Sequence, residues 1–385
     1  MGHLKPLRSG GFELINRQRL LDTFLQLVRI DSVSLQERRL ADYLARVLRD
    51  LGLEVWEDDA GTACRGTAGN LCARWPGSGP GMVFCAHMDT VEPGRGVRPQ
   101  VDNGVVKSRG DTILGGDDKA GIAILIEAVR VLREEGWEPE GLELVFTVAE
   151  EIGLLGAKHL DFGRLRAGMG FVLDGDGPPG RIVIRAPSQD SITATVIGRA
   201  AHAGIEPEKG INAIYAAALG ISRMRLGRID EETTANIGEI TGGKATNIVP
   251  ERVVLRGEAR SLNDAKRAQV TAEICRQIEE GAQRAGARAE IKVELLYPSF
   301  TLGPEDPVVS AAVRAAKACG LQVQLEQSGG GSDANIFNNH GIPTVNLAIG
   351  MQKVHTTGEC IAVEDMETAT RLVLTLIRGE TACGS

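Results

Sequence analysis

Four acidic or imidazole side chains come at the ends of short, apolar, β-rich stretches of the sequence: His87, Glu150, Glu151 and Asp174. Amphipathic helical segments alternate with these stretches, a pattern that predicts an α/β domain with a mostly parallel sheet flanked by helices. In open sheets of this kind, binding and catalytic sites form at the carboxyl ends of the strands. The four side chains are therefore expected to meet at one edge of the sheet.

A further pair of carboxylates lies in a glycine-containing loop before a predicted helix. Asp117 and Asp118 follow two glycines, and the apolar spacing typical of a helix begins at Lys119. One Asp at such a junction is commonly a helix cap, but a cap needs only one carboxylate. Two adjacent acids a short way after His87 indicate a metal site, and residue chemistry alone leaves the choice between Asp117 and Asp118 open.

The composition is that of a globular protein and excludes several other classes. Of 385 residues, 43% are hydrophobic and 24% are charged, and this length allows two domains with a large core. The 51 acidic and 43 basic residues give a net charge of -8, so there is no basic excess to bind nucleic acid or an acidic membrane surface. No apolar run reaches the roughly 18 residues that span a bilayer.

Cysteine usage favours a reducing compartment. The 7 cysteines are scattered and form no CxxC pair, which argues against a disulfide framework or a cysteine-rich zinc site. No apolar segment follows the basic residues near the N-terminus, so we expect no signal peptide and a cytoplasmic protein.

The sequence pattern changes near Pro187. Between residues 188 and 297, strands and helices are predicted in the order β-α-β-β-α-β, the order of a small α+β, ferredoxin-like sandwich. We interpret this segment as an inserted lid or dimerisation domain. Residues 1–187 and 298–385 then form the two parts of the α/β catalytic domain.

The candidate metal ligands are two imidazoles and three carboxylates: His87, Asp117, Glu151, Asp174 and His355. They are too few for two closed sites but suffice if one carboxylate is shared, so that each ion keeps positions open for water and substrate. Two ions at the usual separation of about 3.5–4 Å would hold a hydroxide between them and polarise a carbonyl. We expect two divalent ions per chain, with zinc as the first choice and manganese or cobalt as alternatives.

Two further acids have predicted supporting roles. Glu150, directly before a candidate ligand, is a spare carboxylate of the kind that serves as a general base. Asp89, two residues after His87, can accept the second N–H of the imidazole and fix its tautomer. Taken singly, Glu150 and Glu151 fit a solvated charge pair, and His355 fits a structural loop residue. The coincidence of several such residues at predicted strand ends favours the metal site.

Seven short motifs cover most of the chain in this order: AHMDT at 86–90, GGDDKAG at 115–121, EEIGLLGA at 150–157, VLDG at 172–175, GRAAHAG at 198–204, GGGSDAN at 329–335 and HTTGE at 355–359. In these motifs the chain resembles the zinc peptidase and aminoacylase family that includes peptidase T, carboxypeptidase G and succinyl-diaminopimelate desuccinylase. The combination and order of the motifs are highly specific.

The resemblance implies how the ligands are divided between the metal ions. His87 and Asp174 would hold one zinc ion. Glu151 and His355 would hold the other. Asp117, rather than the acid that follows it, would bridge the two ions.

The resemblance also implies roles outside the metal ligands. Asp89 would orient the neighbouring imidazole, and Glu150 would be the proton acceptor. His202, in the inserted domain, matches a histidine that in relatives reaches across a homodimer to the substrate carbonyl. Asn247 and Arg260 match substrate-contact positions, and a surface charge at a strand end is the alternative interpretation of Arg260.

Within the family, Asp at position 174 is typical of aminopeptidases and dipeptidases, whereas deacylases and carboxypeptidases usually carry Glu there. Together with the motifs at 86–90 and 115–121, it indicates the peptidase T branch. Gly116 departs from that branch, whose members usually have Ala at this position. We therefore expect a zinc-dependent aminopeptidase acting on short peptides, tripeptides among them, in which a bridging hydroxide, formed from water with help from Glu150, attacks the first peptide carbonyl.

Two other hypotheses stay open. The same metals would also serve an N-acyl-amino-acid or dipeptide amidohydrolase, which would accept substrates with a blocked N-terminus. A non-catalytic binding or scaffold protein of the same fold would have lost metal ligands, yet every one of them is present in the sequence.

Overall fold

The computed structural model describes residues 15–79 and 81–379. Its α-helices in chain order are α1 (Arg17–Val28), α2 (Arg38–Asp50), α3 (Ala60–Cys64), α4 (Gly116–Glu135), α5 (Leu155–Lys158), α6 (Ala213–Ile221), α7 (Asp264–Arg284), α8 (Pro307–Ala318), α9 (Asp333–Asn339) and α10 (Val363–Arg378). Its β-strands are β1 (Glu54–Glu57), β2 (Leu71–Trp75), β3 (Met82–His87), β4 (Pro99–Asp102), β5 (Val105–Ser108), β6 (Leu142–Thr147), β7 (Gly170–Asp176), β8 (Arg181–Ala186), β9 (Ser188–Ile197), β10 (Gly227–Arg228), β11 (Thr233–Gly242), β12 (Arg252–Ser261), β13 (Arg288–Tyr297), β14 (Phe300–Thr301), β15 (Gln324–Gln327), β16 (Thr344–Gln352) and β17 (Cys360–Ala362).

Internal contacts divide the described chain into two compact units. The first unit takes in the described residues up to 184, residues 302–327, and the described residues from 332 onward. The second unit comprises residues 185–301 and 328–331. The predicted inserted segment, residues 188–297, falls inside the second unit, and its role as a lid or dimerisation domain stays a prediction.

The first unit is built on a sheet whose central strands are parallel. The strand order is β1-β2-β6-β3-β7-β16-β17-β5-β4, and β8 pairs with β16. Strands β6, β3, β7 and β16 run parallel to one another, whereas the strands outside them pair antiparallel. Helices pack against this sheet, so the predicted α/β fold class is confirmed.

Helix α4 lies within the hydrophobic core of this unit. It packs against strand β3 and the helices α1 and α10. Its side chains are buried almost all round, among them Ile122, Leu125 and Val129, as expected of a helix that is covered on more than one side.

On the sheet, the rings of Phe84 and Phe171, from the adjacent strands β3 and β7, stack with their centroids 5.2 Å apart. No helix within residues 15–79 and 81–379 has the length and hydropathy needed to cross a membrane.

The register of the parallel strands brings candidate site residues to one edge of the sheet. His87 is the last residue of β3, and the neighbouring strand β6 ends level with it. The loop after β6 carries Glu150. Cys85 pairs with Val172 of β7, so His87 and Asp174 each come two residues later on adjacent parallel strands. The carboxyl ends of these strands therefore form the platform of the candidate site.

The second unit is an antiparallel sheet with two helices. Its strands lie in the order β10-β11-β12-β9-β13, all neighbours are antiparallel, and α6 and α7 pack against the sheet. Ile192, Ala194 and Val196 alternate along β9 and share a hydrophobic core with Ile274 and Ile278 of α7. Apart from the short strand β10, the predicted β-α-β-β-α-β order is observed.

Two local differences from the predicted elements have physical explanations. Helix α4 begins before Lys119, but Asp117 and Asp118 have non-helical backbone dihedrals, so the regular helix starts where it is predicted. The hairpin of β4 and β5 is not among the predicted strands. Asn103 and Gly104 at its turn both have positive φ and form the dipeptide favoured in two-residue hairpin loops.

Phe171→Ala should destabilise the first unit by about 3–5 kcal/mol, because the substitution replaces a fully buried ring with a cavity. Phe171→Leu keeps much of the side-chain volume and should cost clearly less. Urea denaturation followed by circular dichroism gives the free energy of unfolding. As a control, Val101→Ala on strand β4, where the side chain is 41% exposed, should change it by less than about 0.5 kcal/mol. Equal losses in Phe171→Ala and Val101→Ala would contradict the described core.

Candidate metal centre

Two imidazoles face the two oxygens of a single carboxylate. Nε2 of His87 lies 2.9 Å from Oδ1 of Asp117, and Nε2 of His355 lies 3.2 Å from Oδ2 of the same residue. Asp117 is buried, with 7% of its surface exposed. One carboxylate is therefore shared between histidines from distant parts of the chain, as a bridging ligand must be.

Each imidazole also has a carboxylate of its own. Oδ1 of Asp174 lies 3.7 Å from Nε2 of His87, and Oε2 of Glu151 lies 2.9 Å from Nε2 of His355. Single ligand atoms of His87, Asp117 and Glu151 lie within 4.8 Å of one another. The structure thus brings together all five residues predicted as metal ligands, in two histidine–carboxylate pairs that share Asp117.

The neighbouring Asp118 makes different contacts. Its Oδ2 accepts the backbone N–H of His87 at 3.2 Å, and its Oδ1 accepts that of Gly121 at 3.1 Å. One of its oxygens also lies within 4.8 Å of ligand atoms of His87 and Asp174, but both oxygens are engaged by backbone donors. The geometry therefore favours Asp117 as the bridging residue, which is the choice that the resemblance implies.

The backbone N–H group of four candidate ligands is held by a buried polar side chain. The acceptors are Asp118 for His87, Glu359 for Asp117, Asp89 for Glu151 and Asn346 for Asp174. The donor–acceptor distances lie between 2.9 and 3.3 Å, and all four acceptor side chains are buried. Three of the acceptors are carboxylates, which form stronger hydrogen bonds with N–H donors than neutral oxygens do. The ligands therefore project from fixed backbone positions.

Asp89 supports the site partly as predicted and partly in another way. Nδ1 of His87 lies 2.9 Å from the backbone carbonyl oxygen of Asp89 and 3.5 Å from its Oδ1, so the carbonyl is the closer acceptor for the ring. The carboxylate accepts the N–H groups of Glu150 at 2.9 Å and Glu151 at 3.3 Å, and the hydroxyl of Ser34 at 2.6 Å. Asp89 therefore orients the imidazole mainly through its backbone, and the Glu150–Glu151 turn through its side chain.

A second buried acid supports the same turn. Oε1 of Glu37 accepts the N–H groups of Ala149 at 3.1 Å and Leu35 at 2.8 Å. Ala149 has a φ of 51°, a conformation that is costly for a residue with a Cβ and persists only where surrounding contacts impose it. Burial, followed by the charge of Asp89, raises the pKa of Glu37 to about 7. Glu37 thus fixes the start of the turn that carries Glu150.

Burial, mutual repulsion and hydrogen bonds shift the pKa values of the side chains in the cluster. Burial, followed by the charge of Asp117, raises the pKa of Asp174 to about 8. Burial also raises the pKa of Glu150 well above its usual value, and the charge of Asp174 adds to this effect. Burial by itself would raise the pKa of Asp117, but hydrogen bonds from the two histidines lower it overall. Hydrogen bonds to Asp117 and Glu151 raise the pKa of His355 to about 10.

The side chains present fit two divalent cations. The candidate ligands offer imidazole nitrogens and carboxylate oxygens, which are donors that Zn²⁺, Mn²⁺ and Co²⁺ accept. Oε1 of Glu151 is buried and has no hydrogen-bond partner in the part of the chain that the structure describes, so it is free to accept a cation. Positive charge at the centre would also offset the repulsion among Asp117, Glu151 and Asp174.

The predicted residues His202 and Asn247 lie in the second unit, on neighbouring loops. His202 is exposed, and its Nδ1 accepts the N–H of Gly204 at 3.2 Å. Asn247 is exposed as well, and its backbone carbonyl accepts the N–H of Ala203 at 2.9 Å. The roles assigned to His202 and Asn247 stay predictions.

Arg260, also in the second unit, lies within strand β12 and forms an ion pair. Its Nε and Nη2 donate to the two carboxylate oxygens of Glu258, each at 3.0 Å. Nε2 of Gln189 donates to the same carboxylate at 2.8 Å. With 28% of its side chain exposed, Arg260 is a partly buried, paired group rather than a free surface charge, and its contact with substrate stays a prediction.

Three supporting residues are absent from the predicted set: Glu37, Asn346 and Glu359. Asn346 interrupts the apolar strand β16, and a polar residue in such a run is a recognisable signal of a buried, hydrogen-bonded group. Glu359 ends the HTTGE motif, where the late histidine is the only residue with a predicted role. Glu37 lies in a polar stretch before α2, and no comparable signal identifies it.

Glu37→Gln should gain stability relative to the wild-type chain as the pH rises. A carboxyl whose folded pKa is raised from 4.5 to about 7 binds more protons in the folded state, so stability is lost as the pH rises through this range. The amide keeps an acceptor for the two N–H groups but does not ionise. The stability difference between variant and wild type should therefore grow by on the order of 3 kcal/mol, as measured by urea denaturation of metal-free protein at about pH 4 and pH 8.

The control is Glu305→Gln, at an exposed position before α8. Its stability relative to wild type should be nearly the same at both pH values. If the Glu37→Gln and wild-type curves run parallel, the carboxyl of Glu37 is not the titrating group described here.

Comparison with known proteins places the chain in one family. Residues 83–379 match the Peptidase family M20/M25/M40. Over 366 residues the chain is 46% identical to the uncharacterized protein YqjE of Bacillus subtilis strain 168, and the match covers 94% of this chain and 99% of that protein.

Two solved structures are also similar. The aminopeptidase PepT of Bacillus cereus has a TM-score of 0.85 and 46% identity, with 94% of this chain and 98% of that chain covered. A tripeptidase of Staphylococcus aureus has a TM-score of 0.90 and 41% identity, with 95% and 98% covered. The chain therefore belongs to the Peptidase family M20/M25/M40, a family of dinuclear metallopeptidases.

Proposed function

We propose that the protein is an aminopeptidase that uses two divalent metal ions to hydrolyse short peptides, tripeptides among them. The observation that carries the proposal is the shared carboxylate of Asp117, whose two oxygens face two different imidazoles. The similarity to an aminopeptidase and to a tripeptidase, each above 40% identity over more than nine-tenths of the chain, supports the choice of substrate.

The proposed ligands divide into two sets around Asp117. His87 and Asp174 form one set, Glu151 and His355 form the other, and Asp117 belongs to both. Zinc is our first choice, and the same nitrogen and oxygen donors also suit manganese and cobalt. When bound, the two ions supply Lewis acidity, which lowers the pKa of water and polarises the scissile carbonyl.

Glu150 is proposed as the general base. Its carboxylate would accept a proton from the attacking water and pass it to the nitrogen of the leaving amine. Burial raises the pKa of Glu150, which makes its carboxylate a stronger base than an exposed one. The N–H groups of Ala149, Glu150 and Glu151 are all held by buried carboxylates, so the base and the adjacent ligand project from a fixed turn.

His202 is proposed to contact the substrate carbonyl from a partner copy in a homodimer. Its exposed position in the second unit leaves it accessible to another chain. Light scattering at micromolar concentration is the direct test, and a monomer under these conditions would remove the contribution of His202 in trans.

Glu150→Ala should lower kcat by about 10²–10⁴-fold, the usual contribution of a general base, while metal content stays near two ions per chain. Glu151→Ala is the contrasting variant, since removal of a proposed ligand should reduce the metal content itself. Kinetics on a tripeptide and elemental analysis of the same samples measure both quantities. Loss of metal in Glu150→Ala would show that this residue is a ligand and would contradict its role as a base.

Substrate class is tested with matched pairs of tripeptides that differ only in acetylation of the N-terminal amine. Metal-stripped protein should be inactive, and Zn²⁺, Mn²⁺ or Co²⁺ should restore cleavage. An aminopeptidase should prefer the free amine by at least about 100-fold in kcat/KM, because a site built to bind a polar group typically rejects a substrate that lacks the group by about 10⁴–10⁵-fold. Equal or faster cleavage of acetylated substrates would instead identify an N-acyl-amino-acid amidohydrolase.

A further inference from the structure

The loop that carries Asp117 closes around the side chain of Glu359. Oε2 of Glu359 accepts the backbone N–H groups of Leu114 and Gly115, each at 2.8 Å. Its Oε1 accepts the N–H of Asp117 at 2.9 Å. Glu359 is buried, so these three donors are the described partners of a carboxylate with little access to water.

The glycines of this loop permit so close an approach. Gly115 has a φ of 73°, a conformation that favours glycine, and its N–H and that of Leu114 both point to the same oxygen of Glu359. A methyl group added at Gly116 would lie 3.1 Å from Oε1 of Glu359. The loop is therefore shaped around the carboxylate, with no room to spare at Gly116.

Glu359 and the ligand His355 belong to the same tight turn. The N–H of Glu359 donates to the carbonyl of Thr356 at 3.1 Å, and the N–H of Gly358 donates to the hydroxyl of Thr356 at 3.2 Å. That hydroxyl in turn donates to the carbonyl of Lys353 at 2.7 Å. The segment that presents one imidazole therefore also holds the loop that presents the shared carboxylate.

We propose that Glu359 is a positioning residue that fixes Asp117 against His355. The affinity for the more weakly bound of the two proposed metal ions depends on this contact. The reason is the number of donors. Three N–H groups converge on the two oxygens of Glu359, and only a carboxylate has two oxygens that both accept hydrogen bonds. A glutamine would turn an NH₂ group toward at least one N–H donor and release part of the loop. This inference rests on the metal ligands of the proposed function but not on its peptide substrate.

The test is metal binding by the full-length, metal-stripped chain. Co²⁺ is titrated while its visible absorption is recorded, and Zn²⁺ affinity is measured by competition with a chromophoric chelator. Glu359→Gln should bind the weaker of the two ions about 10–100-fold less tightly, the usual effect of losing a partner that orients a ligand, and its Co²⁺ spectrum should change. Glu359→Asp keeps the charge but shortens the side chain, and it should give a loss in the same direction.

Glu143→Gln is the matched control. Glu143 is also buried, and its Oε2 accepts the N–H groups of Arg166 and Ala167, both at 2.9 Å. These residues carry no proposed ligand, so the control should lose stability without a change in metal affinity or in the Co²⁺ spectrum.

The outcomes separate this inference from the proposed function. Wild-type affinity and spectrum in both Glu359 variants would overturn the inference alone, and so would an equal loss of metal affinity in Glu143→Gln. A wild-type chain that binds fewer than two ions would overturn the two-metal site and the inference together. If one ion binds more weakly in the Glu359 variants but not in Glu143→Gln, the result supports the positioning role of Glu359, whatever the peptide substrate.

Discussion

Repulsion among buried carboxylates is the constraint on which the first unit depends. Asp117, Glu151 and Asp174 converge on two imidazoles at the end of the parallel strands. Burial, with a further contribution from the charge of Asp117, raises the pKa of Asp174 and of Glu151, so the ionised forms of both carboxyls are disfavoured in the metal-free cluster. Two divalent cations would stabilise the ionised carboxylates. Bound cations would therefore stabilise the folded site.

The fold holds the ligands in place through hydrogen bonds to their backbone N–H groups, and it does not neutralise their carboxylates. The N–H groups of four ligands are held by buried side-chain oxygens, so the ligand carboxylates keep oxygens that face the centre. Asp118 illustrates the alternative, because both of its oxygens are used by backbone donors. The same device holds the turn of Glu150, where Asp89 and Glu37 accept three successive N–H groups. Support and coordination are thus assigned to different residues.

Much of the site could be predicted because its ligands follow strands that are visible as apolar runs. His87 and Asp174 each follow such a run, and the structure places them at equivalent points of adjacent parallel strands. Long-range partners could not be predicted in this way. Glu37 is separated from Ala149 by 112 positions, and nothing in the local pattern connects them. The carboxylate of Asp89 was expected on the imidazole but lies closer to two backbone donors, because tertiary contacts decide among several acceptable partners.

The shared carboxylate is tested most directly by X-ray diffraction from crystals grown with zinc, with anomalous data collected on both sides of the zinc absorption edge. We expect two anomalous peaks per chain, one between His87 and Asp174 and one between Glu151 and His355, with Asp117 in contact with both. One peak only, or two peaks of which neither contacts Asp117, would contradict the shared carboxylate and with it the proposed mechanism.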